Sequence, residues 1–279
     1  MSQDRFIHIK IANHKKLLWI LAIVITVSSA VYQRLTGPTF PIRGKVTIAE
    51  QEISFRLLRS ETTDKDVLIS LEVPDTAVSG HLIYKRFRSF DELSKVPLQR
   101  DGNILKGTLP KQPAAGKLLY YVYLTDSVET VSLTGKDPVI LRYKGSVPAT
   151  VLIPHVLLMF LAMLISNRAG LESLDRTGNA RKYLKWVIGL FFVGGFILGP
   201  VVQKYAFGEY WTGIPFGYDL TDNKTLLGMM GWLFAWYRNR KDNRSRGSIL
   251  FASLLLLAMY LIPHSMFGSE LDYTQIEAK

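Results

Sequence analysis

The chain has 279 residues, of which 48% are hydrophobic and 20% charged, with a positive mean hydropathy and a formal net charge of +11. That mixture excludes a simple soluble globule and points to apolar segments alternating with polar ones. The chain contains no cysteine, which excludes disulfide staples, covalent CxxCH haem attachment, thiolate metal sites and dithiol redox chemistry.

About 20 apolar residues carry a helix across a bilayer. In chain order, the expected organisation is a basic N-terminus (1–16), a transmembrane anchor (17–35), a β-sandwich (38–147), a second span (149–166), a basic loop (167–185) and a third span (186–203). An aromatic and polar loop (204–220), a fourth span (221–238), a basic loop (239–247), a fifth span (248–264) and a tail (265–279) follow. The fold class expected is therefore a multi-domain membrane protein. It is an α-helical transmembrane bundle of about five spans with an inserted all-β immunoglobulin-like sandwich outside.

The first apolar run, followed by Ser28, Ser29 and Ala30, also fits a signal peptide with a small-residue cleavage site. Its continuation through Val31 and Tyr32 favours an uncleaved anchor. Residues 226–237 form an apolar run too short to cross alone.

A net positive charge invites a nucleic-acid reading, which needs basic residues gathered on one face. Here they gather between apolar runs instead. Arg5, Lys10, Lys15 and Lys16 precede the first; Arg168, Arg176, Arg181, Lys182 and Lys185 follow the second; Arg238, Arg240, Lys241, Arg244 and Arg246 follow the fourth. This positive-inside asymmetry predicts a cytoplasmic N-terminus and an exported β-domain, in a bacterial inner (plasma) membrane. No nucleic-acid partner is expected.

Within the β-domain, KVTIAE, ISFRLLR, VLISLEV, GHLIYKRF, NILKGTL, KLLYYVYLTD and PVILRYKG alternate between turn residues and read as an antiparallel sandwich of about seven strands. The stretch LPKQPAAGKLLYYVYLTD resembles the penultimate strands of fibronectin type III and immunoglobulin-like modules. That resemblance covers residues 42–146 only, and it implies a binding or spacer module without catalytic residues. His81 with Lys85, Arg86 and Arg88 reads either as an anionic contact surface or as a solvated strand edge.

Polar groups gather at the outer ends of the spans. His155 follows Pro154, His264 follows Pro263, and Asp219, Asp222 and Lys224 sit where the chain re-enters the bilayer. Thr221 or Asp222 is the expected N-cap of the fourth span, with Glu209, Asp219 and Asp222 as partners for Lys224. Tyr210, Trp211, Phe216 and Tyr218 match an interfacial aromatic belt. The plain reading is an interfacial loop capping a helix. The sharper one joins His155 and His264 into a haem b or quinol site, or, with Met159 and Met266, a copper site. Against it, a lone histidine after proline commonly bonds a neighbouring helix or a carbonyl freed by the kink. Gly195 and Gly199, and Gly228 and Gly231, read as close helix contacts.

No nucleotide loop, HExxH helix or GxSxG elbow is present. Three functions remain. The first is a non-enzymatic subunit or assembly factor that presents the sandwich to another membrane or periplasmic protein. The second is a redox or metal-handling membrane protein, and the third a transporter, which the small number of spans and absent internal repeat disfavour.

Overall fold

The computed structural model describes residues 2–240, 245–264, 268, 270–277, with side chains described from residue 14 onward and not at 276 and 277. The chain folds as an N-terminal helix, a β-sheet region and a helical region. It divides into two compact units, one of residues 1–37, 147–204 and 209–268, the other of residues 38–146, 205–208 and 269–279.

The β unit holds strands β1 (Ile42–Ile48), β2 (Gln51–Leu57), β3 (Ser60–Thr62), β4 (Val67–Glu72), β5 (Ser79–Arg86), β6 (Ser94–Pro97), β7 (Gln99–Asp101), β8 (Ile104–Leu109), β9 (Lys117–Thr125), β10 (Thr130–Ser132) and β11 (Val139–Lys144). They form a β1–β2 pair, a β4–β8–β7 sheet, and a sheet of order β3–β11–β9–β5–β6 with β10 also on β9. The period-2 pattern works as expected. In β4, Val67, Ile69 and Leu71 are buried while the residues between them are exposed, and in β9 Leu118, Tyr120, Val122 and Leu124 point into the same core. Buried Tyr120 donates its hydroxyl to the Leu58 carbonyl at 2.8 Å, while Tyr121 and Tyr123 stay half-buried on the opposite face.

The seven quoted runs correspond to β1, β2, β4, β5, β8, β9 and β11. The other four strands are three or four residues long, too short for a period to register. One pairing departs from the antiparallel expectation: after β2 the chain crosses to the larger sheet, where β3 runs parallel to β11. The unit also takes in two distant pieces of chain. The Gly145 amide donates to the Ala206 carbonyl at 2.9 Å, and the Leu271 amide donates to the Ala115 carbonyl at 3.0 Å.

The helical unit holds α1 (Ser2–Thr36), α2 (Ala149–Leu174), a continuous helical run, then α5 (Leu220–Arg238) and α6 (Arg246–Leu261). The run comprises a 3₁₀ turn (Ala180–Tyr183), α3 (Leu184–Phe192), a π segment (Val193–Leu198) and α4 (Gly199–Phe207). A last short helix, α7 (Tyr273–Glu277), belongs to the β unit.

Among the described residues, three helices are long and apolar enough to cross a bilayer: His14–Thr36, Ala149–Leu174 and Ala180–Phe207. The expectation of five is corrected at α5 and α6. The first turns of α5 carry Thr221, Asp222, Asn223 and Lys224, which dilute its hydropathy, and α6 has only 16 residues before Ile262 and Pro263 end it. α2 also runs further than the expected second span, since residues 167–174 continue it rather than opening a loop. Ile20, Ile23, Val24 and Val27 of α1 are about half exposed, an apolar face suited to lipid.

The glycines meet neighbouring helices. A Cβ on Gly194 would lie 3.1 Å from the Met159 sulfur, on Gly195 3.0 Å from Thr225, and on Gly228 2.9 Å from Leu256. Close approach inside the bundle, rather than a face left open, accounts for these small residues.

Candidate functional site

Asp219, not Thr221 or Asp222, is the N-cap of α5. Its Oδ1 accepts from the amides of Thr221 at 2.7 Å and Asp222 at 3.3 Å. A short carboxylate one residue before the helix reaches those donors, whereas Asp222 already lies inside the first turn. Gly268 packs on this cap with φ of 98°, where a Cβ would lie 2.7 Å from the Asp219 Cα, so only glycine fits.

Asp222, itself buried, reaches back instead and organises the preceding loop. Its Oδ2 accepts from the Thr212 amide at 2.6 Å, the Gly213 amide at 3.0 Å, Gln203 Nε2 at 3.1 Å and the Thr212 hydroxyl at 3.3 Å. Asn223 Oδ1 accepts from the Ile214 amide at 2.8 Å. Backbone donors that lipid could not satisfy thus converge on two side chains of one helical turn. A Cβ on Gly213 would lie 2.6 Å from the Asp222 Cβ, so the loop comes this close only as glycine. Trp211 stacks on Phe196 with ring centroids 5.7 Å apart, and Glu209 is exposed.

Lys224 does not take its hydrogen bond from the expected carboxylates. Its ammonium donates to the Ile262 carbonyl at 2.6 Å, at the C-terminal end of α6. That carbonyl end carries the negative pole of the helix dipole, which explains a lysine in the first turn of a neighbouring helix.

His155 Nδ1 lies 2.9 Å from the Gly194 carbonyl, in the π segment where that same oxygen accepts the Gly199 amide. A carbonyl can only accept, so Nδ1 carries the proton and Nε2 is the ring's acceptor nitrogen. Lys224 and His155 both lie within electrostatic range of the His264 ring, and Asp219 within range of Lys224. Asp219, Asp222 and Lys224 thus cluster at the start of α5, each bonded to a different backbone segment, while His155 bonds the Gly194 carbonyl. The Met159 sulfur sits beside Gly194, whereas Met266 lies outside the described residues. Among the described residues no group of three or more histidine, aspartate or glutamate side chains could hold a metal ion. The loop of residues 205–224 divides, residues 205–208 belonging to the β unit and 209 onward to the helical unit.

Two features escaped the sequence reading. Arg168, counted among the loop charges, is buried, with Nη2 2.5 Å from Glu172 Oε2 and its guanidinium 5.4 Å from the rings of both Trp19 and Tyr183. The i, i+4 spacing of Arg168 and Glu172 was the available signal. In the β unit, Arg86 forms a two-point pair with Asp91, Nε to Oδ2 at 2.7 Å and Nη2 to Oδ1 at 2.6 Å, and these bonds hold the Asp91 carboxyl down to about 2. Lys117 and Arg88 both pair with Glu270. His81 stacks on Tyr123 at 5.2 Å.

No protein-family model matches this sequence, and no curated protein is similar to it.

Asp222→Ala leaves the Thr212 and Gly213 amides without their acceptor. It is expected to lower stability by roughly 1–3 kcal/mol in a thermal melt of the detergent-solubilised protein, while Asp222→Asn, which keeps an acceptor oxygen, recovers part of the loss. Equal melts for Asp222→Ala and the parent would contradict this role.

Proposed function

We propose that the chain is a non-enzymatic membrane subunit or assembly factor. Its helical region, with three candidate spans, anchors an exported immunoglobulin- or fibronectin type III-like module that binds another membrane or periplasmic protein.

The observation that carries this reading is the make-up of the β unit from residues 38–146, 205–208 and 269–279. Pieces packed into one unit lie on one side of a bilayer, so each stretch between them crosses not at all or an even number of times. Residues 147–204 do so through α2 and the run ending in α4, both long and apolar enough. Among the described residues of 209–268, α5 and α6 are the helices that could make a second excursion. α5, with 19 residues, reaches roughly 28 Å, and its polar first turn sits at the outer boundary where Asp219 and Asp222 satisfy the loop. α6 is shorter, and the Lys224 bond to the Ile262 carbonyl closes its outer end. Arg176, Arg181, Lys182 and Lys185, and Arg238 and Arg240, then fall in the cytoplasmic loops, as the positive-inside rule requires. That argument supports a cytoplasmic N-terminus and a bacterial inner membrane. The alternating strands and the missing catalytic motifs support a binding module.

Because the chain has no cysteine, single substitutions report sidedness directly. Lys136→Cys and Gln275→Cys are expected to react with a membrane-impermeant maleimide in intact spheroplasts, and Arg181→Cys and Arg240→Cys only after permeabilisation. Labelling of Arg240→Cys from outside would remove α5 as a span.

A redox reading draws on the proximity of His155 to His264. It expects a haem Soret band or stoichiometric copper in the purified protein, lost in His155→Ala; a colourless, metal-free preparation would end it.

A further inference from the structure

Residues 270–274 lie in the notch of the β unit that the sequence marked with Lys85, Arg86 and Arg88. The Glu270 carboxylate pairs with the Lys117 ammonium and with Arg88 Nη1, the latter at 2.7 Å. Lys117 is buried; burial and then nearby Arg142 push its ammonium down, and Glu270 pulls it back up. Tyr273 is also buried: the Arg86 guanidinium lies 4.6 Å over its ring and its hydroxyl is 3.0 Å from Gln112 Oε1.

The backbone of the notch is shaped for the same segment. Leu271 donates its amide to the Ala115 carbonyl at 3.0 Å and Thr274 to the Arg88 carbonyl at 3.2 Å. Both acceptors belong to non-glycine residues in the left-handed region, Ala115 at φ 64° and Arg88 at φ 54°, a conformation that persists only where the surroundings hold it and that gathers at ligand clamps. Gly116 completes the fit, since a Cβ there would come 2.7 Å from the Tyr273 hydroxyl.

We infer that this notch is a recognition site for an extended acidic and aromatic segment, a glutamate followed three residues later by a tyrosine, on an exported protein partner, and that the chain's own residues 270–274 occupy it in competition. The inference rests on the reading of the β unit as a partner-binding module and names what that module binds. Charge decides the class of ligand. Arg86, Arg88 and Lys117 contact the segment, with Arg142 near Lys117, and Glu270 is the carboxylate it brings to them, so an incoming acidic segment meets three cations, of which Lys117 is already buried. Arg86 is fixed from behind by Asp91, which keeps its face on the tyrosine. A segment tethered to its own site competes at an effective concentration in the millimolar range, so the site opens only to a partner that displaces it.

The test uses the full chain in mild detergent and a fluorescent peptide with the sequence of residues 268–277, GSELDYTQIE. Tyr273→Ala loosens the resident segment. Glu270→Gln does so without removing a buried ring, which keeps the test decisive if Tyr273→Ala fails to fold. Either variant, folded though less stable than the parent, is expected to bind the peptide at least about tenfold more tightly than the parent. A peptide with its glutamate changed to glutamine and tyrosine to alanine is expected not to bind. Affinity no greater than the parent's, or equal binding of the altered peptide, would overturn the inference. A parent dimer that the peptide splits into monomers would instead assign the notch to the tail of a second copy and overturn the partner named here. None of these readouts depends on sidedness, so labelling that refutes the topology leaves the result interpretable. A captured partner unaffected by excess peptide would refute the notch and leave the binding module standing.

Discussion

The Glu270 carboxylate, set between the Lys117 ammonium and the Arg88 guanidinium, fixes the path of the chain. A buried ammonium without a counter-charge costs several kcal/mol, so Lys117 at the start of β9 requires a carboxylate, and the one it has lies at the far end of the sequence. Residues 270–274 thereby belong to the β unit, although they follow the helical stretch of residues 209–268.

The same need governs the start of α5. Helix ends carry amides and carbonyls without helical partners, and near lipid no water is at hand to satisfy them. Asp219 serves the amides of α5, Asp222 those of the loop before it, and Lys224 a carbonyl at the end of α6. The charges of this segment are thus each spent on a different backbone terminus. His155 plays a comparable part deeper in the unit: the π segment puts the Gly194 carbonyl within its reach, and the adjoining glycines let α2 come close enough to bond it.

Much of this was legible in the sequence, and what was not has physical causes. Alternation at Val67, Ile69 and Leu71, or at Tyr120, Val122 and Leu124, is a local signal and was read correctly. β3, β6, β7 and β10 were missed because three or four residues hold no period, and their pairing depends on neighbours distant in sequence. The sequence starts the fourth span at residue 221, one residue into α5, but assigns its cap to Thr221 or Asp222, since hydropathy does not say which of two aspartates three apart faces the amides. Lys224 was given a carboxylate because sequence neighbours are visible and the carbonyl of Ile262 is not. Arg168 was counted as a loop charge when it lies inside a helix against Glu172, Trp19 and Tyr183. Glu270 and Tyr273 drew no notice at all, their partners lying more than 150 residues away.

The central claim is that the C-terminal segment is exported and seated on the β unit. The Leu271 amide donates to the Ala115 carbonyl, which holds the two backbones against each other, and a disulfide spans roughly 4.4–6.8 Å between Cα atoms. In a chain with no other cysteine, Ala115→Cys combined with Leu271→Cys is expected to form an intramolecular disulfide in living cells without added oxidant, because the exported compartment is oxidising. Two free thiols, both alkylated when the cells are quenched, would contradict the account.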